Sequence, residues 1–182
     1  MAAISMHQSG SGSERAGTIA GLALLAILAL RVLALWHNGT DLFFDEAQYW
    51  SWSEEPSFGY YSKPPLIAWV IGAATSLCGD SEFCIRLPAP LFHTGTAAVI
   101  FLIGRRIGGP SVGLWSALAF ATLPGVSLSA GIISTDVPLL FFWALALLML
   151  LRLMDGPGWG SAIGLGLAIG LGLNAKYAMA FF

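Results

Sequence analysis

The stretch DLFFDEAQYW, positions 41–50, places two adjacent carboxylates, Asp45 and Glu46, among aromatic residues shortly after a long apolar run. On a helix, neighbouring side chains point about 100° apart, so the pair cannot act together on one face. One carboxylate would face a site and remove a proton from a nucleophile, while the other accepts hydrogen bonds or contacts a metal. An acidic first helical turn, stabilised by the helix dipole, explains the same residues. The residues alone leave both interpretations open.

Asp136 lies at the start of another apolar run, in the sequence STDVP. Ionisable groups at membrane depth are energetically costly and are often functional. The same letters also favour a helix start, with Ser134, Thr135 or Asp136 as the cap and Pro138 in the first turn. Both interpretations can hold together, because a cap at the boundary of a membrane also faces the aqueous side.

Three basic residues are candidates for contacting a phosphate. Lys176 lies about 15 residues into the last apolar run, or ~22 Å along a helix, and a lysine at that depth would bind a phosphate or pair with a carboxylate. Snorkelling to the interface is the alternative. Lys63, in YYSKPPL, has the same two interpretations, and Arg86, in CIRLP, would contact a lipid phosphate or anchor a helix.

The aromatic residues around Tyr60 and Tyr61 would either line a sugar site or seat the loop on the bilayer. The three histidines do not form a metal-ligand pattern, and no cysteine spacing suggests a zinc site, which leaves a divalent metal as an open possibility. Cys78 and Cys84 are six residues apart. A disulfide is permitted if their loop is extracytoplasmic, but two unpaired, buried cysteines fit the spacing equally well.

Composition indicates the elements that must position these residues. The chain is 57% hydrophobic and 10% charged, with a mean hydropathy of +0.77, whereas a soluble domain carries about 25% charged residues. The net charge of −2 and the absence of a basic patch exclude nucleic acid as a partner. The sequence therefore predicts an all-α polytopic integral membrane protein.

The apolar runs predict about five transmembrane helices after a flexible N-terminal tail, residues 1–16. The spans are placed at residues 17–36, 88–104, 112–131, 137–151 and 161–182. The loop 37–86 would carry short interfacial helices, because the apolar run 66–77 is too short to cross a bilayer. The chain stops inside an apolar run, which predicts a fragment of a longer protein.

Loop charges predict the orientation. With a cytoplasmic N-terminus, Arg15, Arg105, Arg106 and Arg152 lie inside, whereas only Lys63 and Arg86 lie outside, as the positive-inside rule favours. Eight of the ten acidic residues then fall on the outer side. This asymmetry indicates chemistry on the outer face, although a long polar loop explains part of it. A bacterial inner membrane with a periplasmic active face is the predicted location.

Five motifs occur in order along residues 20–182: DLFFDEAQYWSWS, FGYYSKPPLIAW, GDSEFCIRLPAPLF, STDVPLLFFW and GLGLNAKYAM. This series resembles the N-terminal part of the GT-C membrane glycosyltransferases. Within them, it is most similar to the branch that contains dolichyl-phosphate-mannose-protein mannosyltransferases and lipid A aminoarabinose transferases. The resemblance implies an enzyme that moves a sugar from a polyprenyl-phosphate donor to a lipid or protein acceptor at the extracytoplasmic face, among membrane lipids.

By the same resemblance, Asp45 matches the first-loop acid that serves as general base or positions the acceptor. Asp136 matches a second catalytic or donor-orienting acid. Lys63 and Lys176 match positions near the donor phosphate, and Glu46, Tyr60 and Tyr61 are supporting residues. Divalent metal use varies across these enzymes, and Ser62 stands where some relatives have an acid before KPP, so no metal is assigned. Direct displacement would invert the anomeric centre.

Two other functions compete with this prediction. A transporter or lipid flippase fragment would use Arg31, Asp136 and Lys176 as a polar pathway. A non-catalytic remnant of a truncated gene would need none of them. Against transport, the ionisable residues gather on one face instead of crossing the bilayer.

Overall fold

The computed structural model describes the backbone from residue 2 and the side chains from residue 13. It is helical, with no strand in the described part of the chain. The elements are α1 (Ala2–Trp36), α2 (Phe44–Ser53), α3 (Leu66–Cys78), α4 (Glu82–Arg86), α5 (Pro88–Thr122), α6 (Pro124–Ser129), α7 (Asp136–Asp155), α8 (Trp159–Ala175) and a 3₁₀ helix (Tyr177–Phe181).

Three stretches are long and apolar enough to span a bilayer: Ser13–Trp36 in α1, Glu82–Thr122 across α4 and α5, and Asp136–Asp155, which is α7. The shorter α3 and α8 are also apolar. The predicted all-α membrane protein is therefore confirmed. Residues 2–16 of the predicted tail belong to α1, and the side chains of residues 1–12 lie outside the described part of the chain.

Helix α5 folds back on itself at Gly109, where the backbone has a left-handed φ of 86° next to Pro110. Its two arms, 88–108 and 110–122, pack closely because Gly104 faces Gly113. The predicted spans 88–104 and 112–131 thus correspond to the two arms, with the second ending at Thr122. Glycine permits both the left-handed turn and the close approach of two backbones.

Replacing Gly113 with Ala should destabilise this helical hairpin by about 1–3 kcal/mol, as overpacking does. A Cβ atom there would lie 2.6 Å from the Phe101 carbonyl oxygen and 2.9 Å from the Arg105 nitrogen. The matched control is Gly21→Ala in α1, where a Cβ meets nothing within 4 Å. Thermal unfolding in detergent measures both variants, and equal midpoints would contradict the close contact.

The long helices form one bundle. Helix α1 lies along both arms of α5, with Leu24 in one cluster with Ala97 and Ala121. Helix α7 runs in the same direction as the first arm, so that Val99 packs on Ala144 near the bundle centre. Helix α8 returns antiparallel to α7. This arrangement brings the starts of α5 and α7 and the end of α8 to one end of the bundle.

The last predicted span is wrong at its end. Helix α8 stops at Ala175 instead of continuing to Phe182, because Lys176 is extended, with φ −158° and ψ 137°. The following 3₁₀ helix folds back so that Met179 is buried against Gly172. An apolar composition continues through both segments, which is why composition alone predicted one span.

The loop 37–86 forms a cap of three short helices over the same end of the bundle. Helix α3 is not purely interfacial, because Ile67 and Ile71 are fully buried in a cluster with Tyr49, Ile133 and Val137. Burying such side chains contributes about 1.5–3 kcal/mol each. The cap is therefore packed onto α5, α7 and the segment before α7 and holds its polar residues in place.

Candidate active site

The start of α2 separates the two adjacent carboxylates. Phe43 is the extended N-cap residue, and its backbone N–H donates to Glu46 Oε2 at 3.0 Å. Glu46 is fully buried, whereas Asp45 is exposed at the cap surface. A carboxylate in the first helical turn also benefits from the helix dipole. Asp45 is thus the member of the pair that is open to a substrate.

Glu46 forms a buried ion pair with Arg86 of α4. Arg86 Nε donates to Glu46 Oε1 at 2.9 Å, and Arg86 Nη2 donates to Oε2 at 2.7 Å. The backbone N–H of Ile133 also donates to Oε1 at 2.9 Å. Because the guanidinium and the carboxylate pair through two hydrogen bonds, both their relative orientation and their separation are fixed. It connects α2, α4 and the segment before α7.

The prediction that Arg86 binds the donor phosphate does not fit this arrangement. Its Nη1 donates to the carbonyl and hydroxyl of Thr40 at 2.9 and 3.3 Å, and Nη2 donates to the Asp41 carbonyl at 2.9 Å. Together with Glu46, these partners occupy all five N–H groups of the guanidinium. Arg86 is 1% exposed, so it organises the cap and offers no donor to a ligand.

The environment of Glu46 predicts a loss of stability in acid. Burial would raise its pKa, but Arg86 and the N–H groups of Ile133 and Phe43 outweigh burial and hold the pKa below the ordinary 4.5. A carboxyl with a lowered pKa stabilises the fold above its unfolded value and loses that contribution as the pH falls through the folded one. Stability should therefore drop below about pH 4.5. The free energy of unfolding, measured from pH 7 to pH 3, should decrease more steeply for the wild type than for Glu46→Gln.

A disulfide between Cys78 and Cys84 connects the end of α3 to α4. Of the two interpretations of these cysteines, the structure has the bonded one. Ser81 begins α4 and accepts a hydrogen bond from the Cys84 N–H at 3.3 Å. The bond and the cap together fix the short helix that carries Arg86, two residues after Cys84.

Asp136 and Lys176 form an ion pair at the same end of the bundle. Lys176 Nζ lies 2.7 Å from Asp136 Oδ1, and their side chains are 35% and 56% exposed. Asp136 is the first residue of α7, and Lys176 is the extended residue after α8. The antiparallel packing of the two helices brings these chain positions together. An ammonium has three N–H donors, so Lys176 keeps two for a ligand.

Tyr49 is a candidate site residue that sequence reasoning missed. It is 2% exposed and lies one helical turn after Asp45. Burial is the main cause that raises its pKa, the negative charges of Asp45 and Asp136 add to it, and the Thr135 side chain acts in the opposite direction. Both carboxylates therefore act on one buried phenol, which stays protonated at neutral pH. The i, i+4 spacing from Asp45 was the signal that could have identified it.

A cleft of about 340 Å³ opens between the KPP segment and the end of α8. Its lining consists of Phe58, Gly59, Pro64, Pro65, Leu173, Asn174 and Tyr177. Lys63 directly precedes one wall, and Lys176 lies between two residues of the other. The half-buried Lys63 accepts a hydrogen bond from the Tyr60 N–H on its carbonyl at 3.2 Å. Each lysine is thus a chain neighbour of residues that line the cleft, and neither belongs to the lining itself.

Tyr60 and Tyr61 occupy different environments. The Tyr60 ring stacks on Trp52 with centroids 4.8 Å apart, and its hydroxyl donates to the Trp52 carbonyl at 2.8 Å. Tyr60 therefore supports the loop. Tyr61 is fully exposed and lines, with Trp50, Glu54 and other loop residues, an open depression of about 600 Å³.

Arg31 does not join Asp136 and Lys176 in a common path. Its Nη2 donates to the Ala121 carbonyl at 2.6 Å, at the end of α5. That carbonyl has no N–H donor within its own helix, because α5 ends at Thr122 and Pro124 begins a new helix. Among the described residues, no group of three or more His, Cys, Asp or Glu side chains is arranged to hold a metal.

Comparison with known proteins identifies related sequences. The family model described as "Dolichyl-phosphate-mannose-protein mannosyltransferase" matches residues 62–182. A lipid A galacturonosyltransferase of Rhizobium johnstonii is 46% identical over 161 residues, 88% of this chain. An undecaprenyl phosphate-alpha-4-amino-4-deoxy-L-arabinose arabinosyl transferase of Pseudomonas fluorescens is 35% identical over 86 residues, 46% of the chain. No solved structure matches significantly.

The chain spans only part of these relatives. The aligned region covers 34% of the rhizobial protein and 15% of the Pseudomonas protein. Asp45 and Glu46 lie before the region that the family model matches, whereas Lys63, Asp136 and Lys176 lie within it.

Proposed function

Because the chain belongs to the dolichyl-phosphate-mannose-protein mannosyltransferase family of membrane glycosyltransferases, we propose that it forms the carrier-binding part of an enzyme that takes a sugar from a polyprenyl phosphate. The observation that supports this proposal is the Lys176 ammonium, which Asp136 holds at 2.7 Å at the end of α8, next in the chain to residues that line the cleft. A largely apolar cleft whose two walls each adjoin a lysine in the chain suits a phosphate that is attached to a lipid.

The proposed reaction is a single displacement. The carboxylate of Asp45 removes the proton from an acceptor hydroxyl, whose oxygen then bonds to the anomeric carbon of the sugar. The bond between that carbon and the phosphate oxygen breaks, and its electron pair leaves with the polyprenyl phosphate. Lys63 and Lys176 stabilise the added negative charge. Attack from the face opposite the leaving group inverts the anomeric centre.

Asp136 would position the Lys176 ammonium, and Tyr49 would lie near the Asp45 carboxylate. The 2.7 Å ion pair with Asp136 aims the Lys176 ammonium and leaves two N–H donors for the phosphate. The neutral phenol of Tyr49, one helical turn from Asp45, keeps a dipole beside the carboxylates without adding a charge. The buried Glu46–Arg86 pair is outside the chemistry and fixes the cap that carries Asp45.

The acceptor is proposed to be a lipid of the lipid A class. The relative that aligns with 88% of this chain is named for lipid A, and the second is named for an undecaprenyl phosphate-linked sugar. A protein acceptor, as in the family description, is the alternative. A carrier and an acceptor that both have acyl chains explain a site at the bilayer boundary.

The site is proposed to face the periplasm from a bacterial inner membrane, with the N-terminus in the cytoplasm. The Cys78–Cys84 disulfide supports an oxidising compartment for the cap. The basic residues at the opposite end of the bundle support the same orientation. These are Arg15, Arg105, Arg106 and Arg152.

Replacing Lys176 with Gln tests the donor site. In the longest reading frame that carries this chain, the variant should lose about 10²-fold in kcat/KM for an undecaprenyl-phosphate sugar, as expected for removing one donor to a developing anion. Lys176→Arg should retain part of the activity because it keeps the charge.

The matched control is Arg15→Gln, an exposed cation at the far end of the bundle, which should leave transfer unchanged. Transfer is measured with lipid A and, separately, with a protein acceptor, so that the two acceptor classes are compared directly. Equal rates for Lys176→Gln and the wild type would remove Lys176 from the donor site.

A further inference from the structure

A basic cleft lies at the end of the bundle opposite Asp45 and Asp136. It has a volume of about 310 Å³ and is lined by Leu102, Arg105, Arg106, Leu148 and Arg152. Arg105 and Arg106 come from the first arm of α5 near the Gly109 turn, and Arg152 comes from the last turn of α7. The three arginines line one cleft because these two helices run in the same direction.

The cleft contains more positive than negative charge. Asp155 pairs with Arg106, and within the described residues neither Arg105 nor Arg152 has a carboxylate partner. Like charges that share a small volume repel each other, and an anion bound between them would remove that repulsion. Orienting the protein in the membrane requires basic residues at this end, but it does not require them to line one cleft.

The remaining lining is apolar. Leu148 is 3% exposed and belongs to the cluster with Val99 and Ala144 inside the bundle. Leu102 lies on the outside of α5 and is 39% exposed. An apolar wall beneath a rim of guanidiniums suits a ligand whose charged group is attached to a hydrocarbon chain. A free inorganic anion would gain nothing from the two leucines.

We propose that this cleft binds the phosphate of an anionic phospholipid from the membrane leaflet at that end of the bundle. Guanidiniums bind phosphate oxygens through paired, charge-assisted hydrogen bonds, and basic pockets between membrane helices are known to hold lipid headgroups. The partly exposed Leu102 contacts the first part of an acyl chain. The site is separate from the proposed donor cleft and does not depend on the proposed reaction.

The test is lipid retention by the purified protein. The protein is equilibrated in detergent with equal amounts of phosphatidylglycerol and phosphatidylcholine, and bound lipid is counted by native mass spectrometry. The wild type should retain phosphatidylglycerol preferentially. The double variant Arg105→Gln/Arg152→Gln should lose that preference by roughly tenfold or more, given the contribution of each basic residue near a lipid surface.

The matched control is Arg15→Gln. Gly17 lies beside Phe101, one helical turn before Arg105, so Arg15 is at the same end of the bundle. It is exposed and does not line the cleft. This variant loses one positive charge but should keep the preference. Arg152→Lys should show an intermediate loss, and circular dichroism verifies that each variant remains helical.

Three results would overturn the proposal. The first is an unchanged preference in the folded double variant, and the second is an equal loss in Arg15→Gln, which would reduce the effect to general surface charge. The third is displacement of the lipid by millimolar inorganic phosphate, which would identify a soluble anion as the ligand. The proposal would be supported if only the cleft variants lose the preference for phosphatidylglycerol and if inorganic phosphate does not displace the bound lipid.

Discussion

Replacing Asp45 with Asn should lower the rate of sugar transfer by about 10²–10⁴-fold, the range that a general base contributes. Asn keeps the size of the side chain but cannot accept the proton of the acceptor hydroxyl. Asp45 is exposed, and within the described part of the chain no hydrogen bond to its side chain is present. The fold should therefore lose at most about 1 kcal/mol, the value of a favourable charge at a helix start.

The matched control for this variant is Asp41→Asn. Asp41 is an exposed carboxylate four residues earlier, and only its backbone carbonyl contacts Arg86. Its replacement should leave both transfer and unfolding unchanged. The assay uses the longest reading frame that carries the chain, with a labelled undecaprenyl-phosphate sugar and lipid A. Full activity in Asp45→Asn, together with inactivity in Asp136→Asn, would move the base to Asp136.

The different roles of Asp45 and Glu46 could be anticipated from their adjacency, but the partner of Glu46 could not. Helical geometry requires that neighbouring side chains diverge, so one carboxylate had to turn away from any shared site. Arg86 is 40 residues away in the chain, and its position before an apolar run equally suited a headgroup contact. Only the packing of α2 and α4 on α3 brings the two side chains together.

The ends of the membrane helices were also only partly predictable from the sequence. Apolar composition identified both arms of α5, because the polar and glycine-rich segment between them interrupts the hydrophobic pattern. It could not show that α8 stops at Ala175, since residues 177–182 are as apolar as the helix before them. The extended backbone at Lys176 depends on Met179 packing on Gly172, which is a tertiary contact. That local break is what aims Lys176 at Asp136.

The buried pair explains how a cap of short helices can hold Asp45, the carboxylate that we propose as the general base. Helices of 5 to 13 residues are marginal by themselves. Glu46 and Arg86 together bind backbone groups of Thr40, Asp41 and Ile133, at distances of 2.9 Å. These groups lie on two separate segments of the chain, the one before α2 and the one before α7. The pair therefore acts as a polar core that fixes the cap before any ligand binds.

Replacing Glu46 with Ala should destabilise the protein by about 3–5 kcal/mol, because Arg86 is left buried with an uncompensated charge. Replacing both partners with Leu often restores stability in simple buried pairs. Here restoration should be incomplete, since the backbone groups that the pair satisfies would lose their partners, at about 1–3 kcal/mol each.

The control is Lys176→Ala, which breaks an exposed ion pair and should cost at most about 1 kcal/mol. Unfolding is measured by tryptophan fluorescence in detergent for all three variants and the wild type. The order of stability should be wild type, Lys176→Ala, the double Leu variant and Glu46→Ala. A double Leu variant as stable as the wild type would mean that the backbone contacts contribute little and that apolar packing alone holds the cap. A loss in Glu46→Ala no greater than in Lys176→Ala would mean that the buried pair does not organise it.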